Sequence, residues 1–466
     1  MKIEQIYTGC LAEAAYYIES KGEVAIIDPL RETAPYIRRA ERDNAKIKYV
    51  FETHFHADFV SGHLELAQKT GAKIVYGPDA HCGFDCYSAK DGEEFKVGDL
   101  TIRVLHTPGH TQESSTFLLL DESGKEYCIF SGDTLFIGDV GRPDLAIKSD
   151  LTVEDLAGML YDSLHNKIMP LPDHVIVYPA HGAGSACGKN LSKETSDTLG
   201  HQKEVNYALK AKSKEEFIKA VTDGLAPPPQ YFPLNALMNK AGAKGLDEIN
   251  LQALKGLSPQ GFEDAAVATS ALILDTRAPQ VFAAGFIPGA INIGVDGQFA
   301  PWVGALITDI KQPILLVCEE GREEENIMRL ARVGYDHTVG YLAGGMAAWE
   351  QAGKPVEQVL SVSAVDFEND HWNLNLCVID IRRPGEYETA HIADVPNKPL
   401  DYINDWITSL DRDKTYYIHC AGGYRSMIAA SIMKARGFRD VIDIAGGYGA
   451  IAKTGLPKAS GVEVNG

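Results

Sequence analysis

The chain reads as a multidomain α/β protein, and three features carry that reading. It has 466 residues, more than one hydrophobic core normally accommodates, so about two to four domains are expected. Over about the first 245 residues, short β-rich runs alternate with helical stretches and Gly/Pro turns. The remainder carries a degenerate internal repeat.

In the first region the β-rich runs are Glu23–Asp28, Lys48–Glu52, Ile74–Tyr76 and Val175–Tyr178. Each ends in polar residues suited to a sheet edge. Helical patterns fall at Ser61 to Thr70 and Thr152 to Asn166, and Ala226-Pro227-Pro228-Pro229 breaks structure near the end of the region. In the repeat, Leu272–Arg277 returns as Cys377–Arg382 and Phe286–Ala290 as His391–Asp394. Pro313–Cys318 returns as Tyr416–Cys420, and Leu342–Met346 as Ile444–Tyr448. Four matches in one order imply two copies of an α/β domain of about 100 residues, too long a period for a solenoid. With a boundary near Lys354-Pro355, the expected domains are 1–250, 258–357 and 358–466.

The hydrophobic fraction of 45% and the charged fraction of 23% are ordinary for a globular protein. A net charge of −20 repels phosphates and anionic lipid, which argues against nucleic acid and membranes as partners. It also means that an anionic substrate needs a local positive site. The first residues lack a basic start followed by an apolar run, and no stretch approaches a membrane span. Eight cysteines without regular spacing predict no disulfide framework and a reducing, cytoplasmic location. Cys82 and Cys86, beside His81, are too loosely spaced for a metal pair and are expected to be structural. His63, His106 and His165 have no motif around them and read as ordinary polar residues.

The most telling segment is Thr53-His54-Phe55-His56-Ala57-Asp58-Phe59. The i, i+2 spacing of His54 and His56 puts both rings on one side of an extended chain. Downstream come Pro108-Gly109-His110, Gly132-Asp133 and Ala180-His181, each at a turn after a β-rich run. Five such residues in this order indicate a metal site.

This set resembles the metallo-β-lactamase superfamily over about the first 245 residues, which implies an αββα sandwich. Two branches compete within it. Hydrolases similar to glyoxalase II bind two metals, using a further histidine where this chain has Phe59. Persulfide dioxygenases bind one iron(II), and the resemblance carries its ligands onto His54, His110 and Asp133. Two histidines and one carboxylate leave positions open for substrate and O₂. His56, Asp58 and His181 would then orient ligands or water. Zinc, which has no redox chemistry, fits only the hydrolase branch. Arg142 resembles an arginine lining the dioxygenase substrate site, which implies that it holds a persulfide carboxylate or sulfite oxygen; from the residues alone a surface salt bridge reads equally well. Cys187, with glycines and Lys189 nearby, reads either as an exposed, stabilised thiolate, which the resemblance implies lies beside the iron site, or as a small buried apolar cysteine.

In the second repeat, Cys420-Ala421-Gly422-Gly423-Tyr424-Arg425-Ser426 lies between a β-rich run and a helical pattern. A cysteine there faces converging backbone N–H groups and the positive end of a helix. The loop resembles the active loop of the rhodanese family, a parallel-sheet α/β fold. That likeness makes Cys420 the nucleophile, assisted by Arg425 and Ser426, with Gly422, Gly423 and Tyr424 around the bound anion. In the first repeat, Cys318 is followed by Glu319-Glu320-Gly321-Arg322-Glu323-Glu324-Glu325. Carboxylates around a thiol raise its pKa and repel anions, so this copy is expected to be degenerate.

The whole chain thus resembles three-domain persulfide dioxygenase–rhodanese fusions. The resemblance implies oxidation of low-molecular-weight thiol persulfides by O₂ to sulfite at mononuclear Fe(II), with sulfur transfer among persulfide, sulfite, thiol and thiosulfate. It also implies a homo-oligomer, dimer or tetramer. The alternatives are a glyoxalase II-like thioester hydrolase fused to a sulfurtransferase and a non-enzymatic persulfide carrier.

Overall fold

Strand β1 (Lys2–Thr8), β2 (Glu13–Ser20), β3 (Glu23–Ile27), β4 (Lys46–Glu52), β5 (Lys73–Tyr76) and β6 (Tyr87–Ser88) form one sheet in chain order. The second contains β7 (Glu94–Val97), β8 (Leu100–His106), β9 (Ser115–Leu120), β10 (Glu126–Gly132), β11 (Ile176–Pro179) and β12 (Asp197–Thr198), also as consecutive neighbours. These coordinates are a computed structural model describing residues 1–145, 151–225, 227–373 and 376–461; Ala226 of the expected Pro-rich break lies outside them.

Side-chain alternation explains the layering. Tyr16, Ile18 and Phe51 of the first sheet face Val104, Phe117 and Phe130 of the second in one core. The opposite face of the first sheet, with Tyr17, Val24 and Ile26, packs on Tyr36, Ala40 and Leu66 of the helices Ala34–Arg42 and His63–Thr70. The opposite face of the second, with Leu118, Leu120 and Ile129, packs on Ala157 and Leu160 of the helix Val153–Ser163 and on Phe217. Helix, sheet, sheet, helix is the αββα sandwich.

Two helix ends differ from the sequence reading. Ser61 stays outside its helix because it bridges Leu30 and donates its hydroxyl to the Pro29 carbonyl and to Glu52. The other helix starts at the Thr152 cap, where Asp155 completes a capping box, but its last turn loosens into a π-turn at Leu164–Ile168.

The described chain divides into two compact units, residues 1–249 with 330–334, and 250–329 with 335–466. The second unit holds most of both repeats. Strands β13 (Gly256–Leu257), β14 (Leu272–Asp275), β15 (Ile291–Asn292), β16 (Ile314–Val317) and β17 (Thr338–Leu342) make a parallel sheet in the order β13-β17-β16-β14-β15. Then come β18 (Leu360–Val362), β19 (Cys377–Asp380), β20 (His391–Ile392), β21 (Thr415–His419), β22 (Asp440–Ile444) and β23 (Lys458–Ala459). Four of them form a parallel sheet ordered β18-β22-β21-β19, and β20 pairs antiparallel with β23. The internal repeat is therefore a repeat of topology. Cys318 and Cys420 follow the equivalent strands β16 and β21, at the carboxyl ends where parallel sheets place binding crevices. No helix among the described residues is long and apolar enough to cross a membrane.

Candidate functional site

In the first unit, the loops after β4, β8, β10 and β11 bring together the histidines and aspartates of the turn motifs. His54, His110 and Asp133 are buried, and their ligand atoms lie within 4.8 Å of one another. His110 Nε2 is 3.3 Å, and His54 Nε2 3.9 Å, from Asp133 Oδ2. The two rings stand nearly perpendicular, 89° apart.

The outer nitrogens explain why these rings suit a metal. Thr53 Oγ1 donates to Asp28 Oδ2 at 2.8 Å, leaving its oxygen to accept from His54 Nδ1 at 3.0 Å. His110 Nδ1 lies 2.8 Å from the Arg142 carbonyl, and His181 Nδ1 3.2 Å from the Ala12 carbonyl. A carbonyl only accepts, so each Nδ1 carries the proton and each Nε2 presents a lone pair. Burial, then His56, His110 and His181, push the His54 pKa well below the imidazole range. The ring is therefore neutral, as ligation requires. His54 Nε2, His181 Nε2 and both Asp133 oxygens are buried without a hydrogen-bond partner. Such orphans are costly in a closed protein interior, and a cation satisfies them. The residues present thus fit a resident metal ion. Gly141 makes room for this arrangement, since a Cβ there would lie 1.9 Å from the Asp133 carbonyl oxygen and 3.0 Å from His110 Nδ1.

A second buried group, His56, Asp58 and His181, lies alongside and can also hold a cation. His181 Nε2 is 3.5 Å from both Asp58 Oδ2 and Asp133 Oδ1. His56, however, is engaged elsewhere: its Nε2 is 3.1 Å from Asp28 and 3.4 Å from Glu52. Burial opposes its charge, but those two carboxylates hold its pKa well above the imidazole range. Phe59 is fully buried, its ring 4.4 Å from that of His56, so a phenyl fills the place where another donor would sit. Asp28 and Glu52 went unrecognised in the sequence as more than strand-end residues. Only their pairing with His56 marks them.

Arg142 and Cys187 take the paired and the buried arrangement, respectively. Arg142 is not an open anion clamp: Nε and Nη2 donate to Asp144 at 2.6 and 2.7 Å, and Nη1 to the Ala186 carbonyl. Its carbonyl, rather than its guanidinium, serves the site by orienting His110. Cys187 does lie beside the cluster, with its sulfur grouped with Asp133 and His181. It is not an exposed thiolate, because it is 1% accessible. Burial, reinforced by Asp58 and Asp133, pushes its pKa well up. Lys189 points away, donating to the Ala220 and Asp223 carbonyls. Cys82 and Cys86, expected to be structural, form a disulfide, and the other six cysteines are free. The bridge spans four residues of the loop between β5 and β6.

In the second unit, Cys420 sits between β21 and the helix Tyr424–Ala435. The Gly423 N–H donates to its sulfur at 3.1 Å, and Ser426 Oγ is 3.6 Å away. These donors stabilise a thiolate or a bound sulfur anion. Gly447 has φ +54°, and a Cβ there would lie 2.4 Å from the Cys420 carbonyl oxygen, so the paired glycines let the β22 turn close on the cysteine loop. A cavity of about 340 Å³ opens above the sulfur, lined among others by Gly422, Arg425, Arg383, Gln298 and Trp302. Arg425 lines it while held by Glu386 at 2.6 and 2.8 Å. Tyr424 lines it too, but its hydroxyl is committed to the Gly294 carbonyl at 2.7 Å. Trp302 and Gln298 come from the first repeat, a contribution that no motif in the sequence announced.

Cys318, the equivalent cysteine, is 7% exposed. Its pKa is pushed up to about 12, by burial first and then by Glu323 and Asp275. Burial, more than the acidic run, accounts for that upward shift. Arg322 is bound by Asp296 at 2.7 and 3.0 Å and by Glu325 at 2.8 Å, which leaves little of it for an anion.

Comparison with known proteins gives these sites their context. Residues 258–352 and 363–454 match the rhodanese-like domain family, and residues 8–85 the metallo-β-lactamase superfamily. The chain is 32% identical to a cytoplasmic hydroxyacylglutathione hydrolase of Arabidopsis thaliana over 39% of its own length and 67% of the relative's. It is 30% identical to the mitochondrial persulfide dioxygenase ETHE1 of Homo sapiens over 45% of this chain and 75% of that protein. Among solved structures, a metallo-beta-lactamase from Staphylococcus aureus subsp. aureus COL superposes with TM-score 0.64 at 32% identity, covering 73% of this chain and 98% of that one. The chain belongs to the metallo-β-lactamase superfamily, as a domain with ETHE1-like relatives joined to two rhodanese-like domains.

Proposed function

We propose that the protein oxidises the terminal sulfur of low-molecular-weight thiol persulfides with O₂ and moves sulfane sulfur through Cys420. The overall reaction is RSSH + O₂ + H₂O giving RSH, sulfite and two protons. The observation that carries it is one buried set of free Nε2 and carboxylate donors, His54, His110 and Asp133, in a chain that also presents Cys420 under a cavity. Those three residues would hold a single iron(II), which supplies the O₂-activating redox chemistry that zinc lacks. Thr53 and the Arg142 carbonyl fix the two imidazole tautomers. Phe59 excludes a further donor beside His56. His181 and Asp58 face Asp133 from the other side and can hold water or a substrate proton.

At Cys420 the step is a thiol–sulfane exchange. The thiolate attacks the outer sulfur of RSSH, RSH leaves, and Cys420 carries the persulfide. Sulfite then attacks that outer sulfur, releasing thiosulfate and the free thiolate. Gly423 N–H and Ser426 steady the sulfur, and Arg383 attracts the sulfite dianion into an otherwise acidic protein, while Arg425 lines the cavity paired to Glu386.

A second reading, zinc-dependent thioester hydrolysis, is favoured by the group His56, Asp58 and His181 and by the hydroxyacylglutathione hydrolase relative. O₂ uptake by the metal-analysed protein with glutathione persulfide separates the two. Persulfide-dependent O₂ consumption with about one iron per chain is the expected result. Two zinc ions and no O₂ consumption would leave the hydrolase.

A further inference from the structure

Cys82 and Cys86 are joined in a disulfide, whereas the other six cysteines are free thiols. Stabilisation accounts poorly for it, because a bridge between residues four apart closes a short ring and removes little entropy from the unfolded chain. Both cysteines are half-buried and flanked by exposed His81, Gly83 and Asp85. A small thiol or persulfide therefore has access to the pair.

The loop is packed against the metal-binding loop by three contacts. First, Cys82, Phe84 and Cys86 share an apolar cluster with Tyr76 and with Phe55, the residue between His54 and His56. Second, Phe84 stacks on His63 at 4.9 Å. His63 Nδ1 lies 3.3 Å from Glu52 Oε1, and the other Glu52 oxygen is 3.4 Å from His56 Nε2. His63 is thus a link between the two loops rather than an ordinary polar residue. Third, the Gly83 N–H donates to the Lys240 carbonyl at 2.7 Å. The adjacent Asn239 donates to the His56 and Phe59 carbonyls, each at 2.7 Å.

We infer that Cys82 and Cys86 form a redox-active dithiol–disulfide site that accepts sulfane sulfur from persulfides and releases it as hydrogen sulfide. The persulfide as reactant rests on the proposed function. One thiolate attacks the outer sulfur of RSSH; the persulfide S–S bond breaks and RSH leaves. The second thiolate attacks the first cysteine's own sulfur, breaking its bond to the transferred atom, which departs as HS⁻. The sum is two protein thiols plus RSSH giving disulfide, RSH and H₂S. The cysteine sulfurs are oxidised and the sulfane sulfur is reduced. Two further thiols reopen the pair by ordinary exchange and leave as RSSR. Persulfide excess thereby closes a loop that touches the residues around His54 and His56.

The test uses the full-length protein, reduced with dithiothreitol, desalted under argon and exposed to glutathione persulfide. Free thiols are then alkylated after denaturation, and the peptide spanning Cys82 and Cys86 is weighed. The expected result is loss of both alkyl groups from that peptide, far faster than in an argon control, in wild type and in a Cys187→Ser/Cys420→Ser variant. The Cys82→Ser/Cys86→Ser variant should release one H₂S fewer per chain than wild type. A peptide that stays doubly alkylated, closure that requires Cys420, or equal H₂S release from both proteins would overturn the inference. Because the assay excludes O₂, failure of the dioxygenase reading would register separately, as absent O₂ uptake.

Discussion

Replacing Thr53 with valine removes one hydroxyl and almost no volume, and it acts on the metal site through His54. In the native protein that hydroxyl donates to Asp28 Oδ2 at 2.8 Å and accepts from His54 Nδ1 at 3.0 Å. Valine deletes both bonds in a fully buried setting, although Asp28 keeps its bond from the Thr53 backbone N–H at 2.7 Å. At about 1 kcal/mol per bond, with a desolvation cost for the two stranded partners, the loss in stability is about 2–4 kcal/mol. The effect on metal is more diagnostic. Without an acceptor at Nδ1 the imidazole can take the wrong tautomer or rotate, and such outer-shell changes weaken metal affinity by about 10–100-fold. Competition for iron(II) against a chromogenic chelator measures this directly, alongside thermal unfolding of the metal-free protein. Thr53→Ser keeps the hydroxyl and should bind within about threefold of wild type. Wild-type affinity in Thr53→Val, or equal weakening in Thr53→Ser, would refute the argument that this hydroxyl sets the His54 tautomer.

Four further outcomes are expected. Phe59→His adds a nitrogen donor next to His56, Asp58 and His181; metal analysis should rise from about one to about two ions per chain at saturating zinc, with weaker persulfide oxidation. Cys318, with its pKa near 12, should be alkylated far more slowly than Cys420 at pH 8, where only about one thiol in 10⁴ is ionised. Its folded pKa lies above the ordinary thiol value, so its stabilising contribution is complete below about pH 9 and disappears as pH rises through about 12; Cys318→Ala should flatten stability over that window. Trp302→Ala removes a wall of the Cys420 cavity contributed by the first repeat, and should raise the sulfurtransferase KM for sulfite about tenfold, near 1.4 kcal/mol of binding, with O₂ uptake unchanged.

Much of the local chemistry was legible in the chain. His54, His110 and Asp133 each sit on a turn directly after a β-rich run, and the loop from Cys420 to Ser426 spans a strand-to-helix junction. Short-range spacing encodes such features, because a strand end and a turn determine where a side chain emerges. The two repeats were equally readable, since their parallel strands are short buried apolar runs in one order.

Partner choice was not legible. Arg142 and Cys187 have the residue types for anion binding and nucleophilic attack, yet Asp144 occupies the first and burial protonates the second. The Cys82–Cys86 bridge depends on the fold of the loop between β5 and β6. Trp302 reaches the Cys420 cavity from a strand-and-helix unit more than a hundred positions away in the chain. Residue order alone sets which chemical groups stand at the ends of which strands, because that follows from local geometry. Which of them are charged, occupied or open is set by folding, because desolvation and hydrogen-bond partners come from residues distant in the chain.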